Sequence, residues 1–501
     1  MEARLKEGDL LAAVDLGSNS FHLVVARFEH GDLRVIDRVR ETVRMALGLR
    51  ADGTLEPERH RKALSCLARF GQRLREFPPE RVRAVATNTV RRLRSPRAFL
   101  LTAETALGQP ISVVSGREEA RLIYLGVAHG LPRARERRLV VDIGGGSTEF
   151  IIGREFEALE TESLQMGCVA STLRFFDDGK LTRKRWQKAQ TEIEVELQQF
   201  AAAYRAVGWK EAIGSSGTAR ALGAVNEALG FGDNVVTRGG LDAVRERLLE
   251  AGEIERIRLP GLSEDRRPVI AGGAVILDSV FRALGIERMR VCDTAMREGL
   301  LYDMIGRAAH TDPREASVEG LASRYGADRE QAGRVEATAL TLFDQVAADW
   351  ELDDDHRMWL AWCARVHEIG LTIAHSQHHV HGAYLVGHSD LFGFGHQEQQ
   401  ALAFVVRAQR RAIPLEVLNA LPERLAEPAA RLAVLLRLSA LLHRARTPEP
   451  LPPMALKAGE RSLRLGLPRQ WLDTHPLTRA DLEQERKYLG DLNLKLQVAA
   501  G

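Results

Sequence analysis

The sequence predicts two layered α/β units in tandem, followed by an all-helical domain and a small α/β tail. Three observations predict it. A strand, a Gly/Ser-rich turn and a second strand occur twice, with the aspartates that precede the turns, Asp15 and Asp142, 127 residues apart. Strands and helices alternate around and after both copies. From residue 313 helix formers take over with little strand signal.

The first copy occupies residues 10 to 28, where LLAAVDL, GSNS and FHLVVARF read as a hairpin. Helical stretches follow near 57 to 77 and from 95 to 106, the latter opened by Ser95-Pro96, with a strand at 81 to 86 between them. The second copy, LVVDI, GGGST and EFIIG, spans 139 to 153. A long helix at 183 to 207, the strand EAIGSSGT, a helix from 218 and a strand-to-helix segment MRVCDTAMREGLLYDMI complete the second unit. The expected boundaries are 1–126, 127–307, 313–446 for the helical domain and 454–501 for the tail. The last boundary is marked by the Pro-rich link TPEPLPP, beyond which a hairpin, a helix and a final strand are read.

The whole chain bounds the function classes. Its 501 residues exceed a single core, and 45% hydrophobic with 28% charged residues exclude a disordered or fibrous class. No stretch approaches the ~18 apolar residues needed to span a bilayer, and MEARLKEGDLLAAVDLG has no signal-like apolar region. A cytoplasmic protein is expected, with peripheral membrane association left open. Cys66, Cys168, Cys292 and Cys363 are widely spaced without a CxxC pair, which argues against disulfides or a thiolate zinc site. Net charge is only +2, yet residues 81 to 100 hold six arginines and no acid, read either as a solvated face or as an anion-guiding surface.

Tight Gly/Ser turns expose successive peptide N–H groups that suit phosphate oxygens. GSNS (Gly17, Ser18, Asn19) and GGGST (Gly144, Gly145, Gly146, Ser147, Thr148) qualify. GSSGT (Gly214, Ser215, Ser216, Gly217, Thr218) is read as a third such turn. None is a Walker A loop. One such turn is weak evidence; two in matching frames make a clamp. Asp142 and Glu149 flank the second turn and Asp15 holds the matching place in the first, so these carboxylates are candidates for Mg²⁺, the alternative being turn capping. Asp293 is a weaker candidate.

VDLGSNSFHL, SGREEARLIYLGV, VVDIGGGSTEF, MGCVAST, GSSGT and CDTAMREGLLY, in this order, resemble the exopolyphosphatase and guanosine pentaphosphate phosphohydrolase family over essentially the whole chain. The resemblance implies two actin-like (sugar-kinase-like, ribonuclease H-like) domains, an HD-like helical domain and a small α/β domain. It implies Glu119 as the general base on the attacking water, although spacing alone leaves Glu118 and Glu119 equivalent. It implies Asp142 and Glu149 at Mg²⁺, with a monovalent cation such as K⁺ as a further cofactor, phosphate on the turns, and Arg91 facing the cleft. The expected substrates are inorganic polyphosphate or, with the same site, guanosine pentaphosphate. A homodimer is expected. An ATP-dependent kinase or ATPase of the same superfold is the more distant alternative, and a nucleic-acid binder a weaker one. In the helical domain eight of the fifteen histidines lie between 356 and 396, but the His-Asp pair of HD metal centres reads His367-Glu368. With this departure a second metal site is the lesser alternative, and the histidines are otherwise read as structural or as lining a polyanion channel.

Overall fold

The computed structural model describes residues 5–29, 32–308 and 312–500, which form two compact units divided at 311/312. In the first unit, strands β1 (Leu10–Leu16), β2 (Ser20–Glu29), β3 (Asp32–Thr42), β4 (Val82–Ala86) and β5 (Ile111–Val113) form a sheet ordered β3-β2-β1-β4-β5. β1 pairs antiparallel with β2 and parallel with β4. A second sheet holds β6 (Arg138–Ile143), β7 (Thr148–Arg154), β8 (Glu157–Leu164), β9 (Glu211–Ser215), β10 (Val235–Thr237) and β11 (Arg288–Val291), ordered β10-β11-β9-β6-β7-β8. Its β6 is likewise antiparallel to β7 and parallel to β9. The strand run β8-β7-β6-β9-β11 therefore repeats β3-β2-β1-β4-β5, and the duplication read from two turns extends to whole sheets, as in the actin-like fold.

Central strands of mixed sheets with helices on both faces must be apolar on both sides. Leu11 to Val14 and all of β6 are accordingly buried or nearly so. One face of the first sheet packs on the helices Pro57–Leu74 and Pro96–Leu107. One face of the second packs on Arg183–Val207 and Ile270–Leu284. The remaining two faces share a core with the helices Gly116–Gly130 and Met296–Ala308, in which Leu11, Ala13 and Val85 of one sheet and Val140, Ile151 and Ile213 of the other meet Ile123, Val127 and Leu300. These two helices approach closely at Gly126 and Gly299. A Cβ would lie 2.0 Å from the Ala295 carbonyl oxygen at the first and 1.8 Å from that of Leu122 at the second. The boundary expected at 126/127 thus falls inside a helix that belongs to both sheets.

The second unit contains the helices from Pro313 to Leu442 and a sheet of β12 (Ala455–Gly459), β13 (Ser462–Leu467) and β14 (Lys495–Ala500). Leu456, Leu463, Leu465 and Leu496 join Leu432, Leu435 and Phe404 in one core, so the helical domain and the tail are a single packed body. No helix among the described residues is long and apolar enough to cross a membrane.

Candidate active site

Both turns lie at the ends of central strands, β1 and β6, and they meet. A Cβ added at Gly145 would come within 3.1 Å of the Asn19 backbone N and 3.2 Å of Ser18 Cβ; at Gly146 it would come within 2.7 Å of Asn88 Oδ1 and 2.9 Å of Ser18 Oγ. Only glycine lets the second turn approach the first this closely. Each turn is held from behind through its carbonyls. The amides of Arg44 and Ala46 donate to the Asn19 and Ser18 oxygens (2.8 and 3.0 Å), while those of Cys168, Val169 and Ala170 donate to Gly144 and Gly145 (2.9 to 3.1 Å). With the carbonyls engaged there, peptide N–H groups are what the turns have left to offer an anion. Thr89 also donates its hydroxyl to Ser18 Oγ at 2.8 Å.

The cleft between the sheets has a volume of about 130 Å³ and is lined by Asp15, Glu119, Asp142, Glu149 and both turns. Burial raises all four carboxyls. Asp15 is pushed up to about 8, by desolvation and then by the Glu119 charge, against the pull of Arg297. Glu119 is raised by burial against the pull of Arg91. Asp142 is raised by burial although the Ser215 hydroxyl donates to it. Glu149 is raised well above its usual range by burial and by the Glu119 and Asp142 charges, while accepting from Ser163 Oγ at 3.0 Å. Asp15 Oδ1 is buried without a hydrogen-bond partner. Such crowding of acids costs free energy unless protons or a cation neutralise them. The donor set fits a hard divalent cation. Among the described residues no three His, Cys, Asp or Glu form a ready-made metal group; Mg²⁺ usually takes one or two carboxylates and keeps several waters.

The helix start separates the two glutamates that spacing left equivalent. Ser115 caps the helix Gly116–Gly130, accepting from the Glu118 amide at 3.1 Å. Glu118 turns away and is forked by Arg121 at 2.8 and 2.9 Å, whereas Glu119 lines the cleft. Successive helical residues point about 100° apart. Arg91 does not line the cavity as expected; it stands behind Glu119, donating to Oε2 at 3.0 Å and to the Val114 carbonyl at 2.6 Å.

Of the other expected residues, Gly17, Ser18, Asn19, Gly144, Gly145, Gly146, Ser147, Ser216 and Gly217 line the cleft. Thr148 does not; its hydroxyl donates to the Met166 carbonyl. GSSGT is not a free turn. Gly214 and Ser215 end β9, and Ser216 opens the helix Ser216–Ala228 with a left-handed φ of 88°. Thr218 is spent on the Ile143 carbonyl at 3.1 Å. What this segment presents to the cleft is a helix N-terminus, itself favourable for anions. Two arginines of the run are held in ion pairs, Arg81 with Asp9 and Arg83 with Asp303.

Sequence reasoning missed the cations that do reach the cleft. Arg220, Arg266 and Arg297 line it and continue into an adjoining cavity of about 420 Å³ with Arg38, Arg40 and His22. Burial lowers the pKa of Arg220 and Arg266, helped in the first by Arg297. Gly217 lies so close to Arg266 that a Cβ there would be 1.8 Å from its Nη2. Arg220 stands one helical turn beyond Gly217, a spacing that could have been read; Arg266 carries no local signal.

Comparison with known proteins bears on the fold and the family. An exopolyphosphatase from Cytophaga hutchinsonii is similar over 60% of this chain and 98% of its own, at 23% identity and a TM-score of 0.55. The PPX-GPPA enzyme of Aquifex aeolicus is 28% identical over 58% of this chain and 98% of its own, with a TM-score of 0.49. The Ppx/GppA phosphatase family matches residues 24–308, and the domain III of Ppx/GppA phosphatases matches 314–486. The chain, an actin-like core with two facing Gly/Ser turns followed by a helical domain III and a small α/β part, belongs to the Ppx/GppA phosphatase family.

Proposed function

We propose that the protein is an exopolyphosphatase that removes the terminal phosphate of inorganic polyphosphate with Glu119 as general base. The observation that carries this reading is the buried carboxylate of Glu119, the one cleft acid held by Arg91, in a cleft walled by the two Gly/Ser turns. Arg91 holds Oε2, which leaves the other oxygen of Glu119 for a water. Burial lifts the carboxyl toward working pH, where a base is most effective. In the reaction the water oxygen attacks the terminal phosphorus, its proton passes to Glu119, and the bridging P–O bond breaks with its electron pair going to the shortened chain. The turn amides, the N-terminus at Ser216 and Gly217, and Arg220, Arg266 and Arg297 hold the oxygens on which charge changes. Of Asp15, Asp142 and Glu149, the register pair Asp142 and Glu149 would hold Mg²⁺, whose chemistry there is neutralisation of phosphoryl charge.

Glu119→Gln is expected to lower Mg²⁺-dependent phosphate release from long-chain polyphosphate by roughly 10²- to 10⁴-fold while polymer binding persists. Unchanged turnover would remove Glu119 from the mechanism. One observation favours a second reading, hydrolysis of the 5′-terminal phosphate of guanosine pentaphosphate: the adjoining arginine-walled cavity has room for more than a phosphate thread. The ratio of kcat/KM on the two substrates, from one preparation, decides between them.

A further inference from the structure

The second unit has a cavity of its own, of about 410 Å³, that the hydrolytic reading does not use. Five arginines line it against three carboxylates. Each carboxylate is already taken: Glu485 by Arg437 (2.8 and 3.0 Å), Asp481 by Arg444 (2.8 Å) and Glu368 by Arg446 (2.6 Å). Arg410 and Arg411, which follow the helix His396–Ala408, make no ion pair among the described residues. Half-buried Arg410 is held below its usual pKa by burial and by the Arg444 and Arg411 charges. Arg411 adopts a left-handed φ of 63°, an uncommon conformation for a side-chain-bearing residue and a frequent mark of a functional site.

The same cavity is lined by two buried imidazoles, His367 and His378. The Nδ1–H of His367 donates to the Ala364 carbonyl at 2.6 Å and that of His378 to the His375 carbonyl at 3.3 Å. A carbonyl can only accept, so each neutral ring carries its proton on Nδ1 and keeps Nε2 as an acceptor. Neither Nε2 has a partner among the described residues, and no third ligand joins them in a metal group there. A bare chain of ionised phosphates has nothing to donate to these nitrogens. A ligand that satisfies both the arginines and the imidazoles needs a phosphate together with hydroxyl or amino groups, and the volume of about 410 Å³ lies within the range of small-molecule sites.

We propose that this cavity binds a nucleoside monophosphate, its phosphate on Arg410 and Arg411 and its donor groups on Nε2 of His367 and His378. The site is separate from the hydrolytic cleft and does not depend on which substrate the cleft takes.

Hydrogen exchange of the full-length protein with AMP, GMP, pyrophosphate or long-chain polyphosphate tests it. AMP or GMP at millimolar concentration is expected to slow exchange around 364–378 and 406–411. Arg410→Ala with Arg411→Ala should weaken this protection roughly tenfold or more, the loss typical of charge-assisted hydrogen bonds. Arg411→Ala alone, at an exposed position, should give part of that loss. His378→Asn keeps a donor near the His375 carbonyl but removes Nε2, so it should weaken the mononucleotides and spare pyrophosphate. Phosphate release at the cleft should stay unchanged in all three variants. No protection by either mononucleotide, protection that survives the double substitution, or protection by polyphosphate alone would overturn the proposal.

Discussion

The two hairpins that face each other across the cleft share a backbone and differ in charge. In β6–β7, Asp142 pairs in register with Glu149; in β1–β2 the same register sets Asp15 against His22. His22 is held down to about 3, by burial and then by Arg297, Arg40, Arg220 and Arg266. One copy therefore keeps two acids and the other one acid and a neutral imidazole beside the arginines. If the turns hold phosphate as proposed, the duplicated hairpin is polarised, with the acid pair on one side and, on the other, His22 beside the arginine-lined cavity.

The comparison breaks most severely at Glu149. If the acid pair holds Mg²⁺, Glu149→Gln should lower kcat on the order of 10³-fold and raise the Mg²⁺ concentration needed for half-activity. An unchanged Mg²⁺ requirement would mean that the acidic side does not carry the cation. Next in size is Gly167→Ala. Its Cβ would lie 2.4 Å from the Gly145 carbonyl carbon and 2.5 Å from the Gly146 amide, both backbone atoms that cannot swing aside. A shift of the second turn by a few tenths of an ångström to 1 Å should cost on the order of 10²-fold in kcat/KM. The first turn, held by Arg44 and Ala46, should not move, and a crystal structure of the variant would check that.

How much of this was legible depends on whether a signal is local. The turns, Asp15, Asp142 and Glu149 sit in contiguous strand-turn-strand patterns, and the sheet topology places them together. Glu118 and Glu119 differ only in the direction each faces from the helix start, which becomes visible once Arg121 claims the first. Arg220, Arg266 and Arg297 come from three distant segments, and no periodicity links them. The run at 81 to 97 is only partly legible because a charge run says nothing of its partners; Asp9 and Asp303 pair with two of its arginines. The helix Gly116–Gly130 resembles the end of one unit in sequence, since only packing reveals that it serves two sheets.

A smaller effect concerns stability on the acidic side of the comparison. With its folded-state pKa raised from 3.8 to about 8, Asp15 binds a proton more tightly in the folded than in the unfolded chain. Stability therefore falls as pH rises from about 4 to about 8. Without divalent cation, Asp15→Asn should raise the melting temperature of the first unit at pH 8 by a few degrees (~2 kcal/mol) and change little at pH 4. Added Mg²⁺ should stabilise the wild type more at pH 8 than at pH 5. Equal shifts at both pH values would separate the cation from these carboxyls.

The smallest effect lies across the register from Asp15 and has the opposite sign. His22 is lowered from 6.5 to about 3, so between those values the unfolded chain binds the proton more tightly and stability falls as pH falls. His22→Gln removes that proton site while keeping a polar side chain among the arginines. The variant should match the wild type at pH 8 and gain relative to it below pH 6.5, by at most about 2 kcal/mol at pH 5. Denaturant melts of the two proteins at pH 5, 6, 7 and 8 measure this directly. A constant difference at every pH would mean that His22 is not the neutral partner of the arginines, and the polarity between the two hairpins would then rest on Glu149 alone.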